Sequence, residues 1–67
     1  MTPVKDLAMR LKQLREKRGM SQEVLAKEAG ISRSYLARLE TARQDPTLTT
    51  LEKLAKALRV KIGALVK

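Results

Sequence analysis

The residues with the most to offer chemically lie between positions 32 and 43. Ser32, Arg33, Ser34, Arg38 and Thr41 carry hydroxyl and guanidinium groups at a spacing that a helix over 33–41 turns into a surface. At about 100° per residue, Leu36 and Leu39 point one way, while Ser34, Ala37, Arg38 and Thr41 point the other, with Arg33 and Tyr35 on the flanks. A plain solvent face more often carries Glu and Lys. Small residues beside arginine let a helix axis come close to something flat or grooved. Arginine's planar fork suits phosphate oxygens, or the O6 and N7 atoms of guanine. By residue type alone, both arginines serve equally well as ordinary helix-surface side chains. Tyr35 likewise serves as a core residue with its hydroxyl at the rim. Catalysis has little support: the chain has no His and no Cys, and no carboxylate pair is tied to a recognisable site. The scattered carboxylates lack Ca²⁺-loop spacing, so no metal, cofactor or enzymatic activity is expected.

Two elements must position these residues. The stretch 21–40 holds two short helical patterns, 22–29 and 33–41, separated by Gly30-Ile31. Each opens on a serine, whose hydroxyl satisfies orphan N–H groups at a helix start. Each serine follows a large apolar residue, and a leucine comes four positions later: Met20-Ser21 with Leu25, then Ile31-Ser32 with Leu36. That spacing is a hydrophobic staple, which fixes the angle at which chain enters helix. Gly30 can take the left-handed conformation that ends the first helix. Two capped helices joined by a short glycine turn make a helix-turn-helix.

The remainder is read as further helices around one core. Helix 1 is expected over 3–18, with Thr2 as cap, Pro3 in the first position and Asp6 at the positive dipole end. Leu7, Leu11 and Leu14 form its inward stripe, and Gly19 stops it. Leu25, Ala26 and Ala29 face inward on helix 2. After the loop 42–46, Thr47 caps helix 4, whose apolar face is Leu48, Leu51, Leu54, Ala55 and Leu58. Val60-Lys61 with Leu65 repeats the staple spacing and opens a short helix 5, with Ile62, Leu65 and Val66 inward. At 67 residues the chain is a single domain over 1–67.

Net charge is +8, from 15 Lys and Arg against 7 Asp and Glu, an excess that favours a polyanionic partner. It is uneven: 1–20 is strongly basic, 21–31 slightly acidic, and 32–44 basic again. Without cysteine there is no disulfide framework, and no long apolar run indicates export or membrane spanning. The expected compartment is the cytoplasm, with nucleoid association when bound.

Five motifs, taken in order, carry a family resemblance: L-R-E-K-R-G-M-S-Q-E at 14–23, L-A-K-E-A-G-I-S at 25–32, S-Y-L-A-R-L-E at 34–40, P-T-L-T-T-L at 46–51 and L-A-K-A-L at 54–58. The chain resembles the Cro and lambda/434-repressor (XRE-type) helix-turn-helix family over nearly its whole length. The resemblance implies an all-α, five-helix lambda-repressor-like fold that places helix 3 in the major groove of double-stranded DNA. It implies a transcription regulator, usually a homodimer on a palindromic operator. Carried over by position, Ser32, Arg33, Ser34 and Arg38 fall at base-reading positions, with Ala37 seating the helix between them. Gln22 would contact a phosphate and brace the start of helix 3, while Tyr35 and Arg43 would contact the backbone. Arg15 and Glu40 match a structural ion pair, each lying about 70–100° off its leucine stripe. Three positions depart from the family pattern: Ala42 and Arg59 replace glycines after helices 3 and 4, and Lys61 replaces a Ser or Asp cap.

Val60, Ile62, Leu65 and Val66 are more apolar residues than one short terminal helix needs, so they are expected to form a homodimer interface. Two other classes of function remain. One is a protein-interaction bundle, such as the antitoxin of a toxin–antitoxin pair, within a fold that also serves restriction–modification controllers. The other is a cationic amphipathic membrane binder, suggested by the spaced leucines and lysines of 51–67.

Overall fold

The computed structural model describes residues 4–66. Thr2 and Pro3, expected to open the first helix, lie outside the described residues. Four α-helices follow one another: α1 (Val4–Lys17), α2 (Gln22–Ala29), α3 (Arg33–Glu40) and α4 (Leu48–Leu58). A fifth helix is not formed among the described residues. Ile62–Ala64 is a single 3₁₀ turn, and Lys61 before it supplies no side-chain cap. The all-α expectation holds; where a fifth helix was expected, the described residues show one 3₁₀ turn after four α-helices.

Leucine and alanine from every element meet in one core. Leu7 and Leu11 from α1, Leu25, Ala26 and Ala29 from α2, Leu36 and Leu39 from α3, Leu51, Leu54, Ala55 and Leu58 from α4, and Leu65 are all buried together. The alanines let α2 pack closely on α3 and α4. Two stripe positions differ from expectation. Leu14 is only half-buried, because Ala8 and Arg15 take the inward positions on either side of the Leu7–Leu11 pair. Leu48 is 65% exposed although it shares the angular sector of Leu51. Sector alone does not bury a residue; a neighbouring element must lie beside it. The leucines behind the membrane-surface reading, Leu51, Leu54, Leu58 and Leu65, are all consumed by this core.

The starts of α2, α3 and α4 are capped where the sequence places a hydroxyl. Ser21, Ser32 and Thr47 accept the N–H of Val24, Tyr35 and Thr50 at 3.0–3.1 Å. The helix ends share one geometry. After α1, α2, α3 and α4, the residues Gly19, Gly30, Ala42 and Arg59 take φ of 68°, 72°, 59° and 59°. At each, the next N–H reaches back to a carbonyl five residues earlier: Met20 to Arg15, Ile31 to Ala26, Arg43 to Arg38 and Val60 to Ala55, at 2.9–3.1 Å. This is the Schellman closure, which satisfies orphan carbonyls at the helix end.

Met20, Ile31 and Val60 then pack against the core, as the residue after such a closure often does. The corner after α3 has the exposed Arg43 in that place instead. The two family glycines missing from the sequence are therefore still left-handed positions, occupied by residues with a Cβ. Left-handed backbone costs such a residue roughly 1–2 kcal/mol, partly offset by the greater unfolded-state freedom of glycine. Ala42→Gly and Arg59→Gly are each expected to stabilise the fold by about 0.5–1 kcal/mol. Urea midpoints that fall for both variants would show that the left-handed backbone carries no strain.

Candidate nucleic-acid interface

α3 is eight residues long, short enough that its stability and direction come from packing rather than from its own hydrogen bonds. Leu36 and Leu39 anchor it to the core, and Ser32, Arg33, Ser34 and Arg38 stay exposed along the opposite side. The Ser32 hydroxyl accepts the Tyr35 N–H, which leaves its own hydrogen for an outside partner. Ala37 is half-buried, so its methyl lies at the edge of the exposed row rather than at its crest. The Thr41 hydroxyl turns back onto the carbonyls of Ala37 and Arg38 at 3.1 and 3.2 Å, which commits its hydrogen within the helix. Tyr35 is half-buried against the core. Arg43 is exposed, and its N–H is tied to the Arg38 carbonyl at 2.9 Å, so its backbone position follows the end of α3.

Behind the exposed row lies a buried polar network. Arg15 Nε donates to Glu40 Oε2 at 2.7 Å, and Arg15 Nη2 donates to Glu40 Oε1 at 3.1 Å. Arg15 Nη1 donates to the Met20 carbonyl at 2.7 Å. The pair is bidentate, and its side chains are 11% and 2% exposed. Hydrogen bonding from the guanidinium to Glu40 holds Arg15 protonated more firmly than an ordinary arginine; burial opposes this, and the charges of Glu40 and Glu16 reinforce it. The carboxylate is also the acceptor for Gln22 Nε2, at 3.1 Å. Gln22 was expected to brace the start of α3; its amide instead holds the far end, at Glu40. One cleft is lined by Arg15, Ser21, Gln22, Glu23 and Arg33, which brings the first turn of α2 beside the first turn of α3.

The apolar residues at the C-terminal end are placed differently from expectation. Leu65 is fully buried in the core of its own chain, so it is removed from the expected dimer interface. Val60, Ile62 and Val66 are half-buried and pack against that core. The Gln22–Glu40 link had no signal in the sequence, because it joins residues eighteen positions apart. The Met20 carbonyl lies only five residues from Arg15, but a backbone acceptor carries no side-chain signature.

A helix-turn-helix family model matches residues 11–65. The chain belongs to the helix-turn-helix family. It is 43% identical over 60 residues to an immunity repressor protein of Bacillus phage phi105, which covers 90% of the chain. The chain spans only 42% of that repressor's length. Among solved structures it is similar to the restriction–modification controller protein C.AhdI from Aeromonas hydrophila, with 35% identity and a TM-score of 0.91. That match covers 92% of this chain and 94% of C.AhdI. It is also similar to SinR, a master regulator for biofilm formation solved in complex with DNA, with 35% identity and a TM-score of 0.87. That match covers 91% of this chain and 98% of the SinR chain.

Breaking the buried pair leaves an uncompensated guanidinium. Glu40→Ala is expected to cost about 3–5 kcal/mol, read as a lower urea midpoint. Replacing both partners, Arg15→Met with Glu40→Leu, is expected to recover most of that loss, because no buried charge remains. An unchanged midpoint for Glu40→Ala would mean that the pair is solvated in solution.

Proposed function

We propose that this chain is a sequence-specific DNA-binding transcription regulator that lays α3 in the major groove of double-stranded DNA. The observation that carries this reading is the exposed row Ser32, Arg33, Ser34 and Arg38 on a helix fixed to the core by its other face. The guanidinium groups of Arg33 and Arg38 enter no ion pair among the described residues. The likeness to a regulator solved in complex with DNA supports DNA as the partner.

In this reading the first turn of α3 projects furthest into the groove. Arg33 forks onto a guanine, and the Ser32 and Ser34 hydroxyls meet base edges of either type. Arg38, further along the exposed side, reaches a second base or the opposite phosphate. Ala37 sits where a small side chain lets the helix seat, against a thymine methyl where one is present. Gln22, Tyr35 and Arg43 hold phosphates, with the N-terminus of α2 adding its dipole. The protein acts as a two-fold homodimer, with its two α3 helices ~34 Å apart on a palindromic operator. Val60, Ile62 and Val66, the half-buried apolar residues that remain near the C-terminal turn, form its interface.

Selection of bound sites from a random duplex library tests the reading and supplies the operator. Arg33→Ala is expected to cost ~1–3 kcal/mol on that operator and to relax preference at one base pair per half-site. Arg43→Ala is expected to weaken all sequences about equally and to lower the salt slope by about one unit per site lost. Operator affinity and base preference both intact in Arg33→Ala would reject it as a reading residue. Sedimentation should give the dimer mass at high concentration; a monomer alone, with DNA present or absent, would reject the dimer.

A further inference from the structure

From the buried network we infer that Glu40, although it faces away from DNA, is a positioning residue for DNA binding: it fixes the amide of Gln22 so that one N–H points at the backbone phosphate. The inference rests on the proposed role of Gln22 as a phosphate contact.

A glutamine side chain at a helix start is ordinarily free to rotate, and its amide can turn either its oxygen or its nitrogen outward. An oxygen presented to a phosphate repels it; an N–H binds it. Gln22 is the first residue of α2, half-buried, and its Nε2 donates to Glu40 Oε1 at 3.1 Å. Glu40 cannot reverse this bond, because an ionised carboxylate only accepts. The carboxylate in turn cannot swing away. Arg15 clamps both of its oxygens, at 2.7 and 3.1 Å, and is itself held by the Met20 carbonyl at 2.7 Å. The amide is thereby fixed nitrogen-inward at one hydrogen, with the second N–H left to face the cleft that Gln22 shares with Arg33. Two N–H groups of Arg15, one on each terminal nitrogen, are also left over from its three bonds. The chain of contacts runs from α1 through the end of α3 to the start of α2. It couples the seating of the recognition helix to the aim of a phosphate contact.

The inference gives a sign opposite to simple electrostatics. Glu40→Gln removes a negative charge and should strengthen DNA binding if charge alone matters. Loss of positioning instead weakens it. Gln22→Ala is expected to lose about tenfold in affinity, equally on the selected operator and on unrelated duplex, as one hydrogen bond to a charged group is lost. Glu40→Gln and Glu40→Asp are expected to lose a similar factor, the second by withdrawing the carboxylate from Gln22 while keeping the charge that Arg15 needs. Combining either with Gln22→Ala should give about tenfold again, not a hundredfold, since all act through one contact. Affinities are taken at a temperature where circular dichroism shows each variant folded.

A second measurement needs no variant. In the wild-type protein bound to operator, both side-chain amide protons of Gln22 should exchange with solvent much more slowly than those of a free glutamine. Fast exchange of both protons would overturn the inference, as would full affinity in a folded Glu40 variant or multiplicative losses in the doubles. Failure of Gln22→Ala to weaken binding would reject the phosphate contact itself. Failure of the wild type to bind any duplex would reject the proposed function.

Discussion

The bidentate bond between Arg15 and Glu40 is a buried, directional constraint among helix contacts that are mostly apolar. Burial of Leu36 and Leu39 sets which side of α3 faces the core. A carboxylate clamped at 2.7 and 3.1 Å adds direction at the C-terminal end of the helix, because hydrogen bonds weaken steeply out of line. A buried ion pair is weak evidence for net stability, since two charges must leave water. Its worth here is in orientation: it ties α1 to α3, and Gln22 adds α2 to the same carboxylate.

The small size of the chain shows in how its corners are made. Every α-helix ends in the same left-handed closure, and three of the four closures are followed by an apolar residue docked on the core: Met20, Ile31 and Val60. The same three residues open the next turn or helix, so one side chain secures both the exit from one element and the entry to the next. Only the corner after α3 lacks such a residue, and there Arg43 stands exposed. That corner gives up an apolar anchor and presents a cation beside the recognition helix. It also carries Ala42 in left-handed backbone, so the least well secured turn adjoins the surface proposed to meet DNA.

Net charge is a poor guide to which cations matter. Of the fifteen, Arg15 is consumed inside the fold, and Arg18 donates to the Arg59 carbonyl at 3.2 Å, securing the end of α4 from the end of α1. Arg33 and Arg38 differ from the surface lysines in lying together on the exposed side of α3, with Arg43 at the corner that follows it. Geometry, rather than the total of +8, separates a binding face from diffuse attraction.

What the sequence determined by itself was most of what depends on neighbours within about one helical turn, the helix expected after Val60 being the exception. Ser21, Ser32 and Thr47 cap helices because a hydroxyl reaches an N–H three residues on, and Gly30 turns because it lacks a Cβ. The leucine periodicity located the core, and the motif order located the family. Long-range decisions were different. Leu48 and Leu51 share a helical sector, yet one is 65% exposed and the other buried, because only the packing of other helices distinguishes them. Leu65 looked available to a partner and is buried in its own core, since the chain folds back after Val60 through a turn rather than a projecting helix. Gln22 was legible as a site residue, but its bond to Glu40 was not. That bond spans eighteen positions and exists only because the end of α3 and the start of α2 meet over Arg15. Hydrogen bonds between distant residues depend on where tertiary packing places their ends, and no local spacing encodes that placement.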